Sequence, residues 1–212
     1  MKIVCISDTH SLEPIKRFPK GDILIIAGDI CNTGSLVDVI KFNSFLNSLN
    51  YKYKILVAGN HDVIFEKNKL LALNFLNNIV YLQDSEYILN NLKIYGSPWQ
   101  PEFCNWAFNL PRGEKLKEKW DMIPIDTDIL ITHGPPYGIL DKIKENSDNL
   151  GCRELLKAVE KIKPKLHVFG HIHGGYGIQE KIWKNGNKTI FVNASICNEK
   201  YKPINKPIEV EL

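Results

Sequence analysis

The chain has 212 residues, 44% of them hydrophobic and 24% charged, and a formal net charge of +3. This composition excludes a disordered or fibrous chain and provides enough length for one substantial core. The mild charge, with lysines spread along the sequence, argues against the basic track that stable nucleic-acid binding requires.

In chain order, the first apolar β-rich run covers residues 3–6 and is followed by Asp8 and His10. A second strand is predicted over 23–27, with Gly28 and Asp29 after it. Val39, Phe42, Leu46 and Leu49 then lie on one helical stripe. The strand at 55–58 leads into Gly59, Asn60, His61 and Asp62. A weaker alternating run near 87–94 reads as an antiparallel strand. Lys115 to Lys119, alternating with Glu114 and Glu118, reads as a solvated helix face. The strand at 129–132 ends at His133, and Leu155, Leu156, Val159 and Ile162 form a second helical stripe. The strand at 166–169 precedes His171 and His173, and alternating runs follow at 177–183 and 189–193.

The nearly continuous Val, Ile and Leu runs suit strands buried on both faces of a mostly parallel sheet. Their alternation with helical stripes predicts an α/β layered fold, and the weaker runs suggest a second sheet. With no repeat, low-complexity tract or linker, residues 1–212 read as one domain. Because residues 2–7 already form a strand, no signal peptide is expected, and no apolar run is long enough to span a bilayer. The five cysteines (Cys5, Cys31, Cys104, Cys152, Cys197) are odd in number, dispersed, and lack a Cys-x-x-Cys pair. They point to neither a disulfide framework nor a thiolate zinc site, and they suit a reducing, cytoplasmic compartment.

Five of the six histidines sit at strand ends, together with two aspartates and an asparagine; His167, inside a strand, reads as structural. Ligands of α/β sheets bind outside the carboxyl ends of the strands, so these residues should converge on one crevice. Imidazole with carboxylate suits Mn²⁺, Fe²⁺ or Zn²⁺ better than Mg²⁺ or Ca²⁺, which prefer oxygen shells. Two such ions need a shared carboxylate. With Asp8 and Asp29 as the only charged ligands, a two-ion site stays positive, and it would attract an anionic phosphate ester.

Asp8-Thr9-His10, Gly28-Asp29, Gly59-Asn60-His61-Asp62, His133 and Gly170-His171-Ile172-His173 together resemble, in order, the motif series of calcineurin-like metallophosphoesterases. Ser97-Pro98-Trp99-Gln100-Pro101, Phe108 to Gly113, Thr132 to Pro136, His167 to Gly170 and Asn193-Ala194-Ser195 are similar to the metallophosphoesterase-domain-containing (MPPED) subgroup. The resemblance implies a four-layer α/β/β/α sandwich with two mixed sheets flanked by helices. It also implies two divalent ions, Mn²⁺ first, with Fe²⁺, Zn²⁺ or Ni²⁺ as alternatives. Asp8, His10, Asp29 and His173 would hold one ion; Asp29, Asn60, His133 and His171 would hold the other. His61 would contact the scissile phosphate and protonate the leaving oxygen, and Asp62, where many members carry Glu, would orient it. Some animal members of the subgroup have Gly in place of the first His of the last motif; here His171 is present, so both sites are expected to be usable.

The implied activity is a phosphodiesterase for small phosphodiesters such as cyclic nucleotides, working by attack of a water shared between the ions. A phosphomonoesterase or nuclease on the same site, or a non-catalytic metal-binding interaction protein, are the alternatives. Gly28, Gly59 and Gly170 are expected where backbone approaches the metals. Arg112 is a candidate phosphate contact or a surface ion pair. Trp99, Trp106 and Phe108 are a candidate aromatic wall or buried filler under a loop. Asn193 reads as a turn cap.

Overall fold

In this computed structural model, which describes residues 1–11, 18–145 and 147–212, the apolar runs form two stacked sheets. The first half of the chain supplies β1 (Lys2–Ile6), β2 (Ile23–Ala27), α1 (Leu36–Asn47), β3 (Tyr53–Val57), α2 (Val63–Lys67), α3 (Lys69–Leu73) and β4 (Val80–Tyr81). There follow β5 (Ser85–Leu89), β6 (Leu92–Ser97), β7 (Gln100–Pro101), β8 (Asn109–Leu110), α4 (Glu114–Trp120) and β9 (Ile129–Thr132). The chain continues through α5 (Arg153–Ile162), β10 (Leu166–Phe169), a 3₁₀ turn (His173–Gly175), β11 (Gly177–Ile182), β12 (Lys188–Asn193) and β13 (Ile208–Glu211).

One sheet runs β13-β1-β2-β3-β4, parallel except for β13. The other runs β11-β12-β10-β9-β6-β5, parallel in its centre with antiparallel strands at both edges. Period-two alternation explains the layering. Ile3, Cys5, Ile23, Ile25 and Ile55 face Ile94, Ile129, Ile131, Val168 and Val192 in a core between the sheets. The intervening residues Val4, Leu24, Ile26 and Leu56 turn the other way, onto Val39, Phe42 and Leu46 of α1, Phe65 of α2 and Ala72 of α3. On the far side, Leu130, Phe169 and Phe191 pack against Leu116 and Trp120 of α4 and Leu155 and Val159 of α5. The result is an α/β/β/α sandwich of two mixed sheets, as the resemblance implied.

Three details differ from the sequence reading. The strands at 129–132 and 166–169 belong to the second sheet, together with the alternating runs, because a strand covered by another sheet is as uniformly apolar as one covered by a helix. The run at 87–94 is a hairpin: β5 and β6 turn at Asn90 and Asn91, with φ of 49° and 63°. Two consecutive positive φ values fit the tight turn that matches strand twist, and asparagine tolerates them. Leu49 lies beyond the end of α1. On α4, Lys117 pairs with Glu114 and Asp121, and Lys115 with Glu118, as a solvated face should.

Beyond β1 and β12 the two sheets meet. Ser7 N donates to Ala194 O (2.9 Å) and Ile196 N to Ser7 O (2.8 Å). The carboxyl ends of the central strands therefore open onto shared ground. No helix among the described residues is long and apolar enough to cross a membrane.

Candidate metal centre

The loops after β1 and β2 run side by side. Asp8 N donates to Gly28 O (3.0 Å), His10 N to Asp29 O (3.0 Å) and Ser11 N to Ile30 O (2.9 Å). This pairing holds Asp8, His10 and Asp29 at φ of 52°, 46° and 53°, and His171 stands at 66° after β10. The left-handed region costs a non-glycine residue of order 1–3 kcal/mol, and such residues cluster where function requires a side chain to be aimed. Glycines supply the remaining room. A Cβ on Gly170 would overlap the Asp8 carboxylate, and one on Gly28, at φ +97°, would overlap His133 Nδ1 and the Gly59 backbone.

The histidine, aspartate and asparagine side chains read from the sequence as the site, Asp62 included, are assembled within this crevice, and all but the half-buried His171 are buried. Asp8, His10 and His173 bring ligand atoms to within 4.8 Å of one another, and so do Asp29, His133 and His171. His10 Nε2 and His173 Nε2 lie 3.2 Å apart, and His173 Nε2 is 3.4 Å from Asp8 Oδ1. In the other group, His133 Nε2 is 2.8 Å from Asn60 Oδ1 and 3.4 Å from Asp29 Oδ2. Asp29 Oδ2 is also 3.9 Å from His10 Nε2, so one oxygen faces both groups. Its partner, Oδ1, accepts the His61 N–H (2.8 Å).

The ring orientations fit metal ligation. Ala27 O lies 2.9 Å from His133 Nδ1, and Asn198 O lies 3.0 Å from His173 Nδ1. A carbonyl only accepts, so each Nδ1 carries the proton and each Nε2 faces the cluster, the arrangement that metal-binding histidines use. The donor set of imidazole, carboxylate and amide oxygen fits borderline divalent ions.

The charges are interdependent. Burial raises Asp8 and Asp29, but the neighbouring histidines outweigh it: His173 holds Asp8 well below the usual carboxylate range, and His133 brings Asp29 to about 2. Burial likewise lowers His133 and His173, but the carboxylates win and lift both to about 9. His171 is pulled down to about 3 by burial and by the His133 charge, and His10 is lowered by burial despite Asp29 and Asp8. The carboxylates and the His133 and His173 rings thus favour one another's charged forms.

His61 is buried beside these groups, its ring 4.6 Å from that of His10. It also comes within ligand reach of His10 and Asp29. The orientation expected from Asp62 is supplied by another group: His61 Nδ1 is 2.6 Å from Asn32 O. Asp62 instead accepts backbone N–H bonds from Gly59 (2.7 Å), Cys31 (2.8 Å) and Ile30 (3.4 Å), tying the second and third loops together. Its shorter side chain is spent on backbone close to it. Burial and the Asp29 charge raise it to about 6.

The secondary candidates separate. Trp106 lies flat on His61, ring centroids 4.1 Å apart at 28°, whereas Phe108 is in the core and Trp99 packs on it with its indole N–H bonded to Asp84. The Arg112 guanidinium donates to Leu150 O and Gly151 O (both 2.9 Å), and it forms no ion pair among the described residues. His167 sits in β10, 2.9 Å from Thr132 Oγ1. Three contributors were not read as site residues from the sequence: Ser195, whose hydroxyl donates to Asp8 Oδ2 (2.8 Å), the Asn198 carbonyl, and Tyr201, whose ring stands 4.8 Å from that of His10. Phe103 reaches toward His171 at 6.4 Å.

The family model described as calcineurin-like phosphoesterase matches residues 1–175. Metallophosphoesterase domain-containing protein 1 of Homo sapiens is 46% identical, over 100% of this chain and 71% of its own length. A Nostoc protein named 3',5'-cyclic-nucleotide phosphodiesterase is 26% identical, over 79% of this chain and 64% of its own. Among solved structures, TT1561 of Thermus thermophilus shares the fold at a TM-score of 0.60 with 14% identity, covering 90% of this chain and 88% of that one.

Proposed function

The chain belongs to the calcineurin-like phosphoesterases, a family of metal-dependent phosphoester hydrolases, and from that footing we propose that it is a phosphodiesterase acting on small phosphodiesters such as cyclic nucleotides. The observation that carries this reading is Asp29 Oδ2, which faces His10 on one side and His133 on the other. One carboxylate shared between two ligand groups is what a two-ion phosphoryl-transfer centre requires.

In this reading Asp8, His10, Asp29 and His173 hold the first ion, and Asp29, Asn60, His133 and His171 the second, with Mn²⁺ proposed ahead of Fe²⁺, Zn²⁺ or Ni²⁺. When bound, the two ions supply Lewis acidity toward phosphate oxygens and activate water for in-line attack on phosphorus. His61 contributes the proton for the departing oxygen. Its Nδ1 is committed to Asn32 O, which leaves Nε2 to face the substrate. Asp62 holds the Gly59 and Cys31 backbone so that His61 and Asp29 keep their spacing.

Three aromatic rings support a nucleotide-sized substrate. Trp106 lies on His61, Tyr201 on His10 and His173, and Phe103 points to His171, so flat apolar surface surrounds the polar centre. The cysteines are all free, which supports a cytoplasmic, reducing setting.

The test uses metal-stripped protein with bis(p-nitrophenyl) phosphate and p-nitrophenyl phosphate, before and after adding Mn²⁺. Manganese-dependent cleavage with the diester preferred supports the proposal and directs screening to cyclic nucleotides. A preference for the monoester moves the substrate class to phosphomonoesters. Two bound ions with no hydrolysis of either compound sinks the enzymatic reading.

A further inference from the structure

The last part of the chain contacts the side chains of one ligand group directly and reaches the other only through Asp8, whose carboxylate accepts the His171 N–H (3.0 and 3.1 Å). Asn193 is buried, and its amide nitrogen donates to Ile172 O (2.8 Å) and Leu140 O (3.1 Å), which turns its oxygen toward Ser195. That oxygen accepts the Ser195 N–H (3.2 Å). The single proton of the Ser195 hydroxyl has two acceptors at 2.8 Å, Asn193 Oδ1 and Asp8 Oδ2. The charged carboxylate is the stronger acceptor, so this bond fixes Asp8.

Three residues on, the Asn198 carbonyl accepts the His173 Nδ1–H (3.0 Å) and the Tyr201 N–H (2.8 Å). The Asn198 side chain accepts the Lys200 and Lys202 N–H groups, both at 3.0 Å, and closes the turn. This turn holds Tyr201 at φ 53° and sets its ring edge-to-face on His10 (4.8 Å) and His173 (5.2 Å). Asn205 then ties the segment back by donating to Ser195 O (2.9 Å).

Asp8, His10 and His173 are thus each touched by residues 195–201. The side chains of the other group are held from elsewhere, by Ala27 O to His133, His61 N to Asp29 and Asn60 Oδ1 to His133, and the His171 backbone N–H bonds Asp8. We propose that residues 193–205 form a latch that builds the first metal site selectively, with Ser195 as the positioning residue for Asp8 and Tyr201 as a cover over His10 and His173. The proposal rests on the two-ion reading, and it means that the two ions can be lost separately, the first whenever the latch loosens.

The test reads Mn²⁺ binding by calorimetric titration, not hydrolysis. In a His133→Ala background, which cripples the second site, adding Ser195→Ala should weaken the remaining ion about 10-fold or more, the usual scale for a partner behind a ligand. In a His173→Ala background the same change should cost much less, because Ser195 reaches that site only through the Asp8 bond to the His171 N–H. Tyr201→Ala, at a half-exposed side chain, should show the same preference and serves as the control for folding of the Ser195 variant. Equal loss in both backgrounds, or loss in neither, overturns the latch. A wild-type chain that binds no Mn²⁺ would sink the two-ion reading as well, whereas two ions bound with the preference intact but no ester hydrolysis would sink only the phosphodiesterase reading.

Discussion

Asp29 meets His133 at 3.4 Å, Oδ2 to Nε2, while its other oxygen is occupied by the His61 N–H. The oxygen left over is the one that faces both ligand groups. Asp29→Asn keeps the shape and the backbone bond but removes the shared charge. Metal analysis of the purified variant should find both sites depleted; retention of one ion at wild-type affinity would assign Asp29 to a single site.

His61→Ala should lower turnover by roughly 10²–10⁴-fold, the range for a positioned general acid. Metal content should stay at the wild-type level. Because His61 comes within ligand reach of His10 and Asp29, this is a discriminating measurement. Loss of an ion would make His61 a ligand.

Trp106 stacks on His61, and among the described residues its ring meets no other candidate ligand's ring. Trp106→Ala should therefore leave metal content unchanged and reduce kcat/KM by roughly 2- to 10-fold, matching about 0.5–1.5 kcal/mol for an aromatic pair. A shift confined to metal affinity would contradict this placement.

Metal uptake should strengthen with pH. In the metal-free chain His133 and His173 are held at about 9, so below that pH each must lose a proton before its Nε2 can bind an ion. The sign is definite: affinity rises from pH 6 toward 9, by roughly tenfold per unit for each proton displaced, and levels off above 9. Titrating Mn²⁺ at several pH values in buffers of different ionisation heat would count the protons released. His171, already brought to about 3, contributes none in this window.

Gly170→Ala would place a methyl group against the Asp8 carboxylate and the Ser7 hydroxyl. Overpacking of this kind costs about 1–3 kcal/mol. For a chain of this size that lowers Tm by roughly 2–4 °C per kcal/mol. A scan by circular dichroism would measure it, and an unchanged Tm would show that the loop yields freely.

The strand-end placement of the candidate ligands was legible because the apolar runs are short, β-rich and each followed at once by Asp, Asn or His. The partition into two sheets was not, since Ile129 and Ile131 are as apolar as Ile23 and Ile25 whichever layer covers them. The role of Trp106 could not be separated from those of Trp99 and Phe108 by residue type; only the turn of the 101–108 loop decides which ring faces the site. Asn198 acts through a backbone carbonyl, a group that every residue carries, so no side-chain pattern announces it. Ser195 was within reach of a sharper reading, as a hydroxyl just past a strand end, but a lone serine has many bland explanations. The orientation of His61 by Asn32 is another main-chain effect of the same kind.

The pairing of β13 with β1, Lys2 opposite Glu211, joins strands far apart in the sequence. The strand that delivers Asp8 leaves the ribosome long before the neighbour that covers one of its edges. Ser195 and Asn198 also come long after it. Contacts across so great a sequence separation form slowly. During synthesis, residues 8, 10 and 29 emerge early and wait; the first ion's cage is completed only after residues 195–201 have followed, so the nascent centre offers a passing ion an incomplete set of donors until the rest of the domain is made.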